Sequence, residues 1–288
     1  MTGPRKDDVT GQMTTGHEWD GIEELDAPLP RWWLWVFYAC IVWSIGYWIV
    51  MPAWPLASDY TKGLIGYSQR AVVAKKIEAA RALQAPFARR LEALSYDQIS
   101  ADAELLDFAF RGGASAFAVN CSQCHGAGAA GAKGYPNLND DDWLWGGRHA
   151  DIEKTLRVGI RSTHPETHIN MMPAFGRDGL LKEDQISDVV EFVLSLSGRA
   201  GDRAAAARGA KVFKETCASC HGADGKGKID LGTPSLVDGI WLFGGTREEI
   251  RANIQSGRGG VMPAWQGRLD DATIKALTIY VHALGGGK

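Results

Sequence analysis

Cysteine is scarce in this chain of 288 residues: there are five, and four of them fall into two C-x-x-C pairs. No spare pair remains for a disulfide framework of the kind that staples small exported domains. Charge of one sign is also missing. Lys and Arg total 31 against 34 Asp and Glu, a net charge of −3, so the basic field that nucleic-acid binding requires is absent and that class of partner is excluded. Long apolar runs are lacking except for one. The length allows about two domains of ~100–150 residues with additional segments.

The one apolar run, Trp32 to Met51, holds twenty residues without a charge. A helix of that length is about 30 Å long and crosses the hydrocarbon core of a bilayer. Six of the eleven Trp fall between Trp32 and Trp54 and rim the run as interfacial belts; Pro52 and Pro55 mark its end. A cleaved signal peptide is the alternative. Its apolar region spans about 7–15 residues behind a short basic start, whereas this run is longer, begins at residue 32 and is flanked by Trp. The segment therefore predicts an uncleaved single-pass anchor in the lipid bilayer. It contains no His, so by itself it cannot build a haem–copper centre inside the membrane.

What is present in place of disulfides is Cys121-Ser122-Gln123-Cys124-His125 and Cys217-Ala218-Ser219-Cys220-His221. C-x-x-C-H is the attachment signature of c-type haem. The two thiols lie on one face of a helical turn and reach one porphyrin edge, and the adjacent His offers an imidazole to the iron. A redox dithiol does not need the His, and zinc would need a second ligand pair that does not stand nearby. Two covalently bound haem c groups are expected. Because bacteria attach c-type haem outside the cytoplasmic membrane, the large C-terminal part should be periplasmic and residues 1–31 cytoplasmic, in the bacterial inner membrane.

Superimposing the motifs exposes an internal repeat. Gly113-x-x-x-Phe117 matches Gly209-x-x-x-Phe213, Pro136-Asn137-Leu138 matches Pro234-Ser235-Leu236, and Trp143-Leu144-Trp145-Gly146-Gly147 matches Trp241-Leu242-Phe243-Gly244-Gly245. Met172-Pro173-Ala174-Phe175 then matches Met262-Pro263-Ala264-Trp265, and an apolar-periodic helix closes each copy at 182–196 and 271–284. The order predicts an all-α chain: an N-terminal segment 1–31, a transmembrane helix 32–51, a helical connector 52–107, one cytochrome domain at 108–198, a linker at 199–207 and a second domain at 208–288. In each domain the last helix should pack across the first, the glycine letting the backbones approach. The connector's helix-like stretch, Ser68–Leu94, should break near Pro86. It is either a plain spacer or a face docked on another subunit, and its poverty in Gly and Ser favours docking.

Within this frame the expected axial ligands are His125, Met172, His221 and Met262. A lone Met is more often core filler, but both of these stand in M-P-A-aromatic at corresponding places. Met171, next to Met172, leaves the first copy less determined. That copy also carries an insertion: Trp143 to Met172 spans 29 positions, against 21 from Trp241 to Met262. In it lie His164 and His168, readable as a metal site, as a substitute ligand, or as a solvated polar loop. Trp143 and Trp241 are either core or indole donors to haem propionates. Arg148 and Arg247 either pair with propionates or sit on the surface. Pro136 and Pro234 could each offer a carbonyl to the ligand His.

The repeat resembles the class I cytochrome c family twice over, from about residue 108 to 286. With Asp20-Gly21-Ile22-Glu23-Glu24-Leu25, Pro28-Leu29-Pro30-Arg31-Trp32-Trp33, the single anchor and Tyr60-x-x-Gly63, nearly the whole chain resembles the dihaem, membrane-anchored subunit P (subunit III) of cbb3-type cytochrome c oxidase. The resemblance implies two tandem class I domains relaying electrons from a donor cytochrome c in aerobic or microaerobic respiration. It also implies as partners a catalytic subunit holding b-type haems and copper and a monohaem c subunit. The chain itself would be non-catalytic. A tethered electron shuttle, a subunit of another respiratory complex and a dihaem peroxidase are the alternative readings. Charge differs between the copies: residues 108–198 hold 8 basic and 11 acidic side chains, residues 203–288 hold 12 and 8. That contrast could orient an incoming protein.

Overall fold

The computed structural model describes residues 3–285 and forms two compact units, 1–81 and 82–288. The first opens with an antiparallel hairpin of β1 (Thr14–Trp19) and β2 (Ile22–Leu25). Asp20 and Gly21, both left-handed at φ 51° and 86°, make the tight turn that matches strand twist. It is the one sheet among the described residues of an otherwise helical chain. Helix α1 (Arg31–Val50) starts after Pro30 and buries none of its residues within the protein. Its length and apolar composition fit a membrane anchor. Beyond it the chain folds back, and the Leu64 and Ile65 amides donate to the carbonyls of Ile49 and Val50 at 3.1 and 3.2 Å. Gly63 makes this possible. It is left-handed (φ 70°), and a Cβ there would lie 2.3 Å from the Val50 carbonyl oxygen.

Helix α2 (Gln69–Ala93) runs through Pro86, where a break was expected. Packing outweighs the missing amide: Phe87 stacks on Phe108 with ring centroids 4.8 Å apart, and Leu91 is fully buried. In the second unit follow α3 (Tyr96–Ser100), α4 (Ala103–Asn120), α5 (Ser122–His125), α6 (His149–Val158) and α7 (Glu183–Leu196). Then come α8 (Arg203–Thr216), α9 (Ala218–His221), α10 (Arg247–Ser256) and α11 (Asp271–Leu284). Helix α4 begins at Ala103, before the expected boundary at 108, and Asp102 caps it by accepting from the Leu105 amide at 3.0 Å. Helix α8 likewise starts inside the expected linker.

The pairing of these helices departs from a tandem order. Helix α4 packs on α11, the closing helix of the other copy, and α8 packs on α7. A Cβ on Gly113 would lie 2.2 Å from the Ala276 carbonyl oxygen, and one on Gly209 would lie 2.0 Å from that of Asp188. The glycines do allow the close crossing, but each meets a helix of the opposite copy. The turn between α7 and α8 explains this. Gly198 (φ 72°) ends α7 with the Arg199 amide donating to the Leu194 carbonyl at 2.8 Å. The buried Glu191 carboxylate then accepts from the Gly201 and Asp202 amides at 2.9 and 3.0 Å, and Asp202 caps α8. So short a connection leaves the two helices antiparallel neighbours.

The exchange is reciprocal. Gly159 (φ 70°) lies against the backbone of Met262 and Ala264, and Gly257 (φ 61°) lies against that of Met172 and Ala174. One helical body is thus built from residues 103–158 and 262–284. The other is the contiguous middle of the chain, 172–258, set between them. Two hydrophobic clusters mark them, one around Phe117, Ile152, Leu156 and Leu277, the other around Val189, Phe213, Ile250 and Ile254.

Candidate haem sites

Helices α4 and α8 end in the same way. The Cys121 amide donates to the Phe117 carbonyl at 2.8 Å and the Cys217 amide to that of Phe213 at 2.8 Å. In the single turns α5 and α9, the His125 and His221 amides return to the carbonyls of Cys121 and Cys217 at 3.0 and 2.9 Å. In the second motif Cys217, Cys220 and His221 line one cavity. Burial, and secondarily the neighbouring Cys124 or Cys220, pushes the Cys121 and Cys217 thiols each up to about 11. A redox-active or zinc-binding cysteine requires the opposite shift.

Each imidazole is oriented from behind. His125 Nδ1 lies 3.0 Å from the Pro136 carbonyl oxygen and His221 Nδ1 lies 3.1 Å from that of Pro234. With the proton held at Nδ1 the Nε2 lone pair is left for a metal. Burial lowers the pKa of both histidines below the usual imidazole value, against the raising effect of the carbonyl, and so favours the neutral form a ligand needs.

The methionines lie across from these turns in exchanged order. Met172 lines a cavity of about 350 Å³ together with Cys217, Cys220 and His221. Met262 packs against the cluster of Phe117 and Cys121, and its amide and carbonyl pair with Ile160 at 3.0 Å in both directions. The expected pairing of Met172 with the first motif is therefore corrected: the structure brings it to the second. Met171 lines the same cavity but is 61% exposed, whereas Met172 is half-buried and packs against the core cluster of Val189 and Phe213.

Several expected partners lie elsewhere. Arg148 pairs with Asp151 at 2.8 Å, and Arg247 pairs with the buried Glu191. Arg247 does not line the cavity of the second motif. His168 is half-buried, stacked on Trp145 with ring centroids 3.9 Å apart and Nε2 3.3 Å from Thr155 Oγ1, and the His164 Nδ1 accepts from the Glu166 amide at 3.1 Å. The insertion is thus a built crossover rather than a solvated loop, and among the described residues no cluster of three metal-ligating side chains occurs. Sequence reasoning missed Arg161 and Arg258, the two cations that line the cavity. No motif distinguishes either from a surface arginine.

The residues present fit a haem. Trp143 Nε1 is buried with no hydrogen-bond partner among the described residues, a donor suited to a propionate. Trp241 lines the cavity of the second motif. The proximal loops also meet reciprocally. The Gly134 amide donates to the Leu242 carbonyl at 2.7 Å, and Gly232 lies so close to the Trp145 ring that a Cβ could not be accommodated. Pro136 and Pro234 line one cavity of about 200 Å³ between the loops.

Imidazoles held at Nδ1 behind C-x-x-C turns, a methionine lining one cavity with the second motif, another packed against the cluster of the first, and an apolar anchor helix ahead define a membrane-anchored c-type cytochrome. Comparison with known proteins narrows this class. Residues 11–58 match the family description "N-terminal domain of cytochrome oxidase-cbb3, FixP", residues 110–197 match "Cytochrome c", and residues 204–281 match "Cytochrome C oxidase, cbb3-type, subunit III". The chain is 53% identical to the cbb3-type cytochrome c oxidase subunit FixP of Azorhizobium caulinodans over 98% of its length and 96% of the relative's. It is 50% identical to subunit CcoP of Azospirillum brasilense over all of both chains, and 51% identical to CcoP of Cereibacter sphaeroides over 99% of each. The chain belongs to this family of cbb3-type oxidase subunits and is a c-type electron-transfer subunit of the oxidase.

Proposed function

We propose that the chain holds two haem c groups with exchanged axial methionines and relays electrons through them without itself reducing oxygen. One haem is attached at Cys121 and Cys124 and ligated by His125 and Met262. The other is attached at Cys217 and Cys220 and ligated by His221 and Met172. The observation that carries this reading is Met172 lining one cavity with Cys217, Cys220 and His221. Each haem supplies one-electron carriage at a potential that thioether ligation raises over bis-imidazole ligation.

The chain's own residues fix position and exclude reaction. Pro136 and Pro234 hold the imidazoles; Trp143 and Trp241 stand ready for propionates. Gly159 and Gly257 admit the methionine loops. A haem held by His and Met together would have no open position for oxygen, which supports a non-catalytic role and disfavours a peroxidase. The donor is a cytochrome c. The acceptors are the catalytic b-haem and copper subunit and its monohaem c neighbour. The haem domains face the periplasm, and residues 1–31 face the cytoplasm.

Replacing Cys121 and Cys124 by Ala in the isolated complex leaves only the second haem attached. Against that background Met172→Ala is expected to abolish the methionine-to-iron charge-transfer band while Met262→Ala leaves it. The reverse result would restore the tandem ligand order.

A further inference from the structure

Arg161 belongs to the first copy's crossover, yet it lines the cavity of the second copy's cysteines. Its guanidinium is pinned by backbone, with Nε donating to the Gly260 carbonyl at 2.6 Å and Nη1 donating to that of Asn170. Asn170 in turn donates from Nδ2 to the Leu231 carbonyl, tying the same segment to the second copy. The two adjoining glycines make room: a Cβ on Gly259 would lie 3.0 Å from Arg161 Nε. Arg161 itself is held left-handed at φ 49°, a conformation that non-glycine residues adopt only when their surroundings impose it.

Among the described residues this arrangement leaves three of the five guanidinium N–H donors without a partner. Among the described residues no carboxylate lies within ion-pair distance of Arg161, and burial lowers its pKa with nothing to oppose it. The other charged group lining the cavity is Arg258, exposed and 5.9 Å from the Phe243 ring centroid; no Asp, Glu or Lys lines it. A half-buried cation in an apolar cavity costs free energy unless an anion joins it, and a haem brings carboxylates.

We propose that Arg161, supplied by the first copy, is the fixed counter-ion of a propionate of the haem carried by Cys217 and Cys220. This rests on the placement of that haem in the Met172 cavity. A positive charge there disfavours the ferric state, so Arg161 raises the potential at which this haem takes one electron from its donor. The copy that does not carry the haem thereby sets both its distal ligand and part of its potential.

The test is a redox titration of the c haems in the isolated oxidase complex carrying Arg161→Gln. Glutamine bears the same left-handed backbone as any non-glycine residue and can still donate to a carbonyl, so the crossover is kept. The methionine charge-transfer band, unchanged, reports that ligation is intact. The midpoint of one c-type component should shift downward, the other should stay, and Arg161→Lys should recover most of the shift. The shifted component should be the one that Met172→Ala alters. If neither component moves, or Arg161→Lys shifts as far as Arg161→Gln, the charge has no such role although the haem placement stands. If the component that moves is the one altered by Met262→Ala, Arg161 serves the other haem and the proposal is wrong. If Met172→Ala alters the haem of Cys121 and Cys124, the placement itself falls and the proposal with it.

Discussion

Asp142 shows how a local environment carries information that composition does not. It lies in the cavity between the two proximal loops, where burial, followed by the charges of Asp238 and Asp140, pushes its carboxyl up to about 6. A raised carboxylate pKa means that the native state binds more protons than the unfolded chain, so stability falls as pH rises from about 4 through about 6 and stays lower above it. Asp142→Asn should therefore stabilise the protein at pH 7 and leave it unchanged near pH 4. With half the side chain still screened by solvent, the gain is about 1 kcal/mol. Thermal unfolding of the complex at both pH values measures it, and an equal change at both would refute the coupling. At this scale the motifs were legible, because C-x-x-C-H and M-P-A-aromatic carry their chemistry in their spacing. Arg148 and Arg247 were not: their carboxylate partners Asp151 and Glu191 are chosen by the fold, and a lone arginine gives no sign of which anion it will meet.

Helices were legible from periodicity, and the glycines of α4 and α8 rightly announced close crossings. Their partners were not legible, because identical glycine spacing serves either copy's closing helix. The decision is made in Ser197–Asp202, which overlaps the expected linker at 199–207 but is a compact turn with its amides taken up by Glu191 and its exit capped by Asp202. Pro86 misled in the opposite sense, since a proline that ends an isolated helix is tolerated where Phe87 and Leu91 are packed. The exchange gives each glycine a distinct consequence. Gly209→Ala forces α7 from α8 against an unyielding backbone oxygen, with a penalty on the order of 1–3 kcal/mol. It should weaken the haem of His221, because Met172 leads into α7. Gly113→Ala should instead weaken the haem of His125, through α11 and Met262. Melting followed in the charge-transfer band, component by component, separates the two, and loss of the same haem in both variants would contradict the helix pairing.

At the scale of the whole molecule, exchange regroups charge as well as ligands. Residues 103–158 with 262–284 hold seven basic and nine acidic side chains, and residues 172–258 hold twelve of each. The contrast between the sequence copies therefore largely vanishes in the spatial domains, and an electrostatic bias between the haem domains loses its basis. What replaces it is a dependence of the first motif on the last part of the chain. Residues 103–158 are completed only when Met262 and α11 arrive, whereas 172–258 contains its motif, its methionine and both crossing helices. Ending the chain after Gly260 distinguishes the two organisations, because a tandem protein would then keep its first haem domain whole and lose the methionine of the second. The exchanged protein should behave oppositely. The haem at Cys217 and Cys220 should keep its methionine band, while the haem at Cys121 and Cys124 loses its distal ligand and the helix that covers α4. Spectra of membranes containing the shortened chain decide between them, since a surviving methionine band assigned to the first haem is incompatible with Met262 completing that site.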